Sequence, residues 1–124
     1  WKFSFDAKYS FQSAVDMTPD SYTFGQQIPY VARHSVVLDA TVAWNGLEFN
    51  PRWSMKAGRT DSAGALADWN TLDLNLDRPF RIRNAGVITV RLAARNILDS
   101  HYELVSGYPM PGRSFMAGLE FTLL

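Results

Sequence analysis

Glu48 with Arg52, and Asp73 with Asp77, stand four residues apart, and their carboxylates are of the type that exchanges protons in general acid–base chemistry. His34 and His101 add two groups that could carry a proton or ligate a metal. On a strand, residues four apart share a face, so both spacings read as charged side chains lining one polar wall, available for ion pairs, rather than as a catalytic couple. The two histidines are far apart in sequence, with no neighbouring His or Cys, and no metal site is expected. No serine nucleophile motif, glycine-rich phosphate loop or metal signature is present. The chain is therefore read as a non-enzyme without a cofactor.

Binding chemistry is better represented. Trp69, Tyr102 and Tyr108 lie in or beside long connections, where aromatic rings can stack on a ligand or pack loops together. Arg113 can hold an anion or shape its own loop through hydrogen bonds.

The elements that must position these residues show in one pattern. From Trp1 to Gln12 every odd residue is apolar and every even one polar, which predicts a strand of unusual length. A tilted strand crossing a bilayer needs about 9–11 residues. The same alternation recurs over His34–Trp44, Leu47–Ala57, Thr71–Asp77, Val87–Leu98 and Phe115–Leu123. Six strands and no helix follow. Strands two and three join through Asn45-Gly46, a type I′ hairpin signal, and strands four and five through Asn84-Ala85-Gly86. The connections over residues 13–33, 58–70 and 99–114 are long, and this sorting of short and long connections fits a membrane barrel.

Charge follows the same division. Lys2, Asp6, Lys8, Asp39, Glu48, Arg52, Lys56, Asp73, Asp77, Arg91, Arg95 and Glu120 fall on the polar faces. Arg78 breaks the parity; beside it Pro79 marks a possible bulge, and Pro51 interrupts the apolar face of strand three. Trp1, Trp44 and Phe49 fall near the short-turn rim, as an aromatic girdle would.

Composition bounds the rest. The chain has 124 residues, zero net charge and no cysteine, which excludes disulfides and thiolate metal sites and gives no basic patch for nucleic acid. No apolar run reaches the roughly 18 residues of a membrane helix. The start at Trp1, with neither Met nor a leader, is expected of a piece of a longer polypeptide.

Asn96-Ile97-Leu98-Asp99, Tyr102, and Gly107-Tyr108-Pro109-Met110-Pro111-Gly112-Arg113-Ser114-Phe115, followed by alternating residues, resemble the C-terminal end of TonB-dependent outer-membrane receptors. Ile28-Pro29-Tyr30-Val31-Ala32-Arg33-His34 is similar to the family's segment before a late strand, with Ala32 in place of a second proline. The resemblance implies an all-β, antiparallel, up-and-down transmembrane barrel segment, spanning residues 1–124, as the last six strands of a 22-stranded barrel. It implies import across the outer membrane of a Gram-negative cell of a scarce nutrient such as a ferric siderophore, haem or cobalamin. The partners implied are outer-membrane lipid, the rest of the barrel and its plug, the TonB complex acting through that plug, and the barrel-assembly machinery. Neither the plug nor the TonB box is in this sequence. Trp69, Tyr102, Tyr108 and Arg113 become candidate substrate contacts in external loops. Phe115, Leu119, Phe121 and Leu123 become the insertion signal, although Leu123 stands where the family commonly ends on an aromatic, and Leu124 follows it on the periplasmic side.

Two rivals remain at this point: a small or oligomeric outer-membrane barrel, and a soluble barrel or sandwich holding an apolar ligand. The soluble reading expects Phe3, Phe5, Leu38, Leu74, Val90 and Leu119 to meet in a dry core. The membrane reading expects them to form one outward band.

Overall fold

The computed structural model describes residues 1–22, 24–61 and 64–123; Leu124 lies outside them. The strands are β1 (Lys2–Phe11), β2 (His34–Trp44), β3 (Leu47–Ala57), β4 (Thr60–Asp61), β5 (Gly64–Ala65), β6 (Trp69–Ile82), β7 (Gly86–Arg95), β8 (Glu103–Val105), β9 (Tyr108–Pro109) and β10 (Ser114–Leu123). The six long strands form one antiparallel sheet in the order β1-β2-β3-β6-β7-β10, so each long strand pairs with the long strand next along the chain. Two small hairpins, β4–β5 and β8–β9, rise within the long connections. Among the described residues there is no helix.

Register decides what this sheet presents. The main ladders keep one register from end to end: Phe5 faces Ala40, Leu38 faces Trp53, Trp53 faces Leu72, Leu76 faces Leu92, and Val90 faces Leu119. Directly opposed residues share a face, so the apolar sets of all six strands fall on one side and the charged sets on the other. Arg78 is the only charged residue of the six strands on the apolar side. It stands opposite Val90, with its guanidinium 5.3 Å from the centre of the Phe80 ring.

The two prolines behave differently, and hairpin geometry explains why. A two-residue turn at Asn45-Gly46 (φ 48° and 79°) closes on a bonded Trp44–Leu47 pair. Alternation then directs the odd residues of β3 to β2 and the odd residues of β6 to β3. Pro51 therefore lacks an N–H that Ala40 would have accepted, and the β2–β3 ladder is interrupted between Asp39↔Arg52 and Val42↔Phe49. On the polar face, Asn50 Nδ2 donates to Thr41 Oγ1 at 2.6 Å across that interruption. Pro79 points toward β3 where the β3–β6 ladder has already ended at Glu48↔Asp77. It sacrifices no bond, and it stands in register with Thr89 with no bulge.

The fourth strand is longer than its alternation indicates, running from Trp69 to Ile82 rather than from Thr71 to Asp77. Trp69 on the polar face and Asn70 on the apolar face break the alternation, yet both pair with β3. Arg81 pairs with Val87 at the other end, so the ladder runs past the pattern. The fifth stops at Arg95 instead of Leu98, because Asn96 turns the backbone to φ 50°.

No dry core forms. Ala94 is the only buried hydrophobic residue among those described, while Phe3, Phe5 and Leu119 are 71%, 60% and 78% exposed. Leu38, Leu74 and Val90 are half-buried among their sheet neighbours.

Gly86 closes the sheet at the last turn. A Cβ there would stand 2.1 Å from the Thr122 carbonyl oxygen, within the backbone of β10. Gly86→Ala is expected to push the end of β10 away from β7 and to cost about 1–3 kcal/mol, the usual scale of overpacking. Gly118→Ala, with open space around its Cβ, is expected to change stability by no more than about 0.5 kcal/mol. Thermal unfolding of the two variants checks this; equal midpoints would refute the steric account.

Candidate functional site at the long-loop rim

On the polar face, charges meet across strands rather than along them. Arg52 lies between Asp39 on β2 and Asp73 on β6, with its Nε 3.7 Å from Asp39 Oδ1. Asp77 stands opposite both Glu48 and Arg91, and Arg91 reaches Glu120 at 3.0 Å. The four-residue spacings in the sequence thus resolve into cross-strand rows. Among the described residues no three His, Cys, Asp or Glu side chains gather as metal ligands. His34 packs beside Phe11 and shares a 2.7 Å hydrogen bond with the Tyr9 hydroxyl.

At the other end of the strands the three long connections are tied to one another. The Tyr30 amide donates to the Thr60 carbonyl, and Gln27 Nε2 donates to the Val31 and Gly58 carbonyls. The hydroxyl of Ser106 bonds to Asp61, linking the β8–β9 hairpin to β4.

Arg59 sits at the centre of this cluster, only 5% exposed. Its Nη1 donates to the Glu103 carbonyl at 2.8 Å and more weakly to that of Leu104; Nη2 reaches the Ala67 carbonyl. The guanidinium lies 6.0 Å from the centre of the Trp69 ring, and Trp69 stacks on Tyr102 at 4.3 Å. Arg59 Nε and Trp69 Nε1 are both buried without a hydrogen-bond partner.

The last connection is folded by its own polar residues. Asn96 is 5% exposed. Its Nδ2 donates to the Ser100 and Pro111 carbonyls, its Oδ1 accepts the Ser100 amide, and its own amide donates to Asp73 Oδ1. Asp99 Oδ1 accepts the Arg113 amide at 2.9 Å, while Arg113 Nε donates back to the Ile97 carbonyl. Gly112 leaves room for this exchange, since a Cβ there would lie 2.6 Å from Asp99 Oδ1.

Of the four candidate contacts, Trp69 and Tyr102 are therefore brought together, Arg113 lies in the clasp of the final loop, and Tyr108 stands apart, largely exposed on β9. Phe115, Leu119, Phe121 and Leu123 all lie exposed on the apolar face of β10. Arg59 escaped the sequence reading. It lies outside the alternating strands, and its burial depends on carbonyls more than forty residues away. No protein-family profile matches this chain, and no curated protein matches it in sequence.

The Arg113 amide, more than any other influence, holds the Asp99 carboxyl below its ordinary value, and the Arg113 and His101 charges act in the same direction. A carboxyl lowered by folding contributes stability above its unfolded value, about 3.9, and loses it as pH falls through the lower folded value. The Arg113 amide resonance is expected to titrate with a midpoint below about pH 3.9, and Asp99→Asn should abolish that titration. A midpoint at or above the free carboxyl value would sink the assignment. Asn96→Ala, which strands the carbonyls and amide now served by one buried side chain, is expected to cost about 1–3 kcal/mol in thermal or denaturant unfolding.

Proposed function

We propose that this chain is a six-strand wall segment of an outer-membrane barrel belonging to a TonB-dependent receptor, one that imports a scarce nutrient such as a ferric siderophore, haem or cobalamin. One observation carries the reading: an apolar face whose one charged residue is Arg78 runs across all six strands with no packed core behind it among the described residues. Such a face requires an apolar surround. In a bilayer a lipid-facing Arg or Lys costs about 2–4 kcal/mol at the midplane and far less near the interface. Arg78 fits the second case, standing toward the short-turn end with its guanidinium beside the Phe80 ring. The Trp1–Trp44 stack (centroids 5.6 Å apart) lies at that same end, where amphipathic rings favour the headgroups.

The resembling motifs support the family reading, because their residues have a shared physical task in this fold. Asn96, Asp99, Gly112 and Arg113 make the clasp of the final loop, and the segment over residues 28–34 is held to the neighbouring loop through Tyr30. In this reading the charged rows face the lumen and the plug, and the long loops face outward. The chain contributes wall and ligand contact without covalent chemistry. The unpaired outer edges of β1 and β10 pair with the remainder of the barrel. Energy for import comes from the TonB complex acting on the plug, and the barrel-assembly machinery inserts the protein.

Two substitutions on adjacent residues of β2 test the membrane placement. Leu38→Arg, on the apolar face, is expected to destabilise the protein by about 2–4 kcal/mol or to block insertion; Val37→Arg, on the polar face, is expected to be tolerated. Heat-modifiable migration of outer-membrane fractions reads both. Equal tolerance, or a monodisperse protein without detergent, would point to the soluble alternative. Nutrient uptake that persists after the energising complex is deleted would refute the receptor assignment while leaving the barrel intact.

A further inference from the structure

Among the described residues, no anion pairs with the buried Arg59 cation. Its guanidinium hydrogen-bonds only to backbone carbonyls, and among the described residues no carboxylate lies within ion-pair distance of it or of Lys56. Carbonyl oxygens satisfy donors but do not neutralise charge, and an uncompensated buried charge is costly to a fold. Arg59 Nε and Trp69 Nε1 meanwhile remain without acceptors.

Lys56, Arg59 and Trp69 all line one pocket of about 220 Å³, with Arg59 Nε and Trp69 Nε1 buried behind its surface. Lys56 and Trp69 enter it as direct cross-strand partners on the polar face, and Arg59 comes from the loop after β3. Tyr30 and Ser35 add hydroxyls, and no acidic residue lines it. Lys56 Nζ uses one donor on Ser35 Oγ at 2.9 Å, which leaves two of the three that an ammonium carries. A second pocket that Arg59 also lines is different, since Asp68 and Glu103 line it.

We propose that Lys56, Arg59 and Trp69 form a binding site for an oxyanion, the carboxylate or phosphate group of a small ligand. Two cationic side chains line it, Lys56 has donors to spare, and the Trp69 ring that forms part of its wall is fixed by Tyr102. The site rests on the receptor reading only for its use in import; its chemistry stands on these residues alone.

The test uses the protein purified in detergent from its membrane and titrated by calorimetry with inorganic phosphate and, separately, with succinate. Saturable binding of at least one is expected, weakening as salt is raised. Lys56→Met and Arg59→Gln should each raise the Kd by about tenfold or more, the scale of one charged hydrogen bond. Arg59 also braces the loop carbonyls, so the Lys56→Met variant is the deciding one. Absence of saturable binding to either probe overturns the site, as does binding that Lys56→Met leaves unchanged. A protein that binds these anions but imports no nutrient would keep the site and lose the receptor reading.

Discussion

Every feature of this molecule rests on one constraint, the uninterrupted register of its main ladders. Side chains alternate with a period of two, so a slip of a single residue at any one interface would rotate half the sheet and bring charged residues into the apolar face. Local features pin the β2–β3 and β7–β10 interfaces. Asn45-Gly46 fixes β2 against β3, Gly86 admits β10 beside β7, and cross-strand ion pairs such as Arg52–Asp39 and Arg91–Glu120 reward the correct alignment on the polar side. Even the interruption at Pro51 preserves alignment, because Asn50 and Thr41 bond directly across it.

The rim inherits its organisation from that sheet. Lys56 and Trp69 face each other because β3 and β6 hold their register to the last pair, and the loops then close over them. Asn96 shows the same dependence. Its amide is received by Asp73, a residue of the adjacent strand, so the final loop starts from a fixed point on the wall. Polar side chains thus perform at the rim the packing that a hydrophobic core performs in a soluble domain.

Much of the fold was legible in the sequence, since alternation specifies both a strand and its face. The six segments, the two short turns and the segregation of charge all depend on neighbours in the chain. Strand ends were less legible: Trp69 and Arg81 extend β6 through pairing with partners, and the left-handed Asn96 halts β7 inside an apolar stretch. The rim was least legible. The Trp69–Tyr102 stack and the burial of Arg59 are made by segments more than thirty residues apart, and no local pattern encodes which loop carbonyls will surround a guanidinium. Asn96 and Asp99 were visible as a motif, but their partners Asp73, Pro111 and Arg113 lie fourteen or more residues away and follow no local pattern.

The two short turns do not sit level along the strands. Asp77 already faces Glu48, beside the first turn, yet β6 continues to Ile82 before it reverses. If both turns lie at one interface, the strands must lean, and in closed barrels lean and stagger are linked quantities, with tilts of about 35–45°. An eleven-residue strand such as β2, at about 3.3 Å per residue, then climbs only some 25 Å, which is the height of an outer-membrane apolar band. In the proposed barrel, the offset between the two hairpins is the feature that would translate strand length into the height of the apolar band.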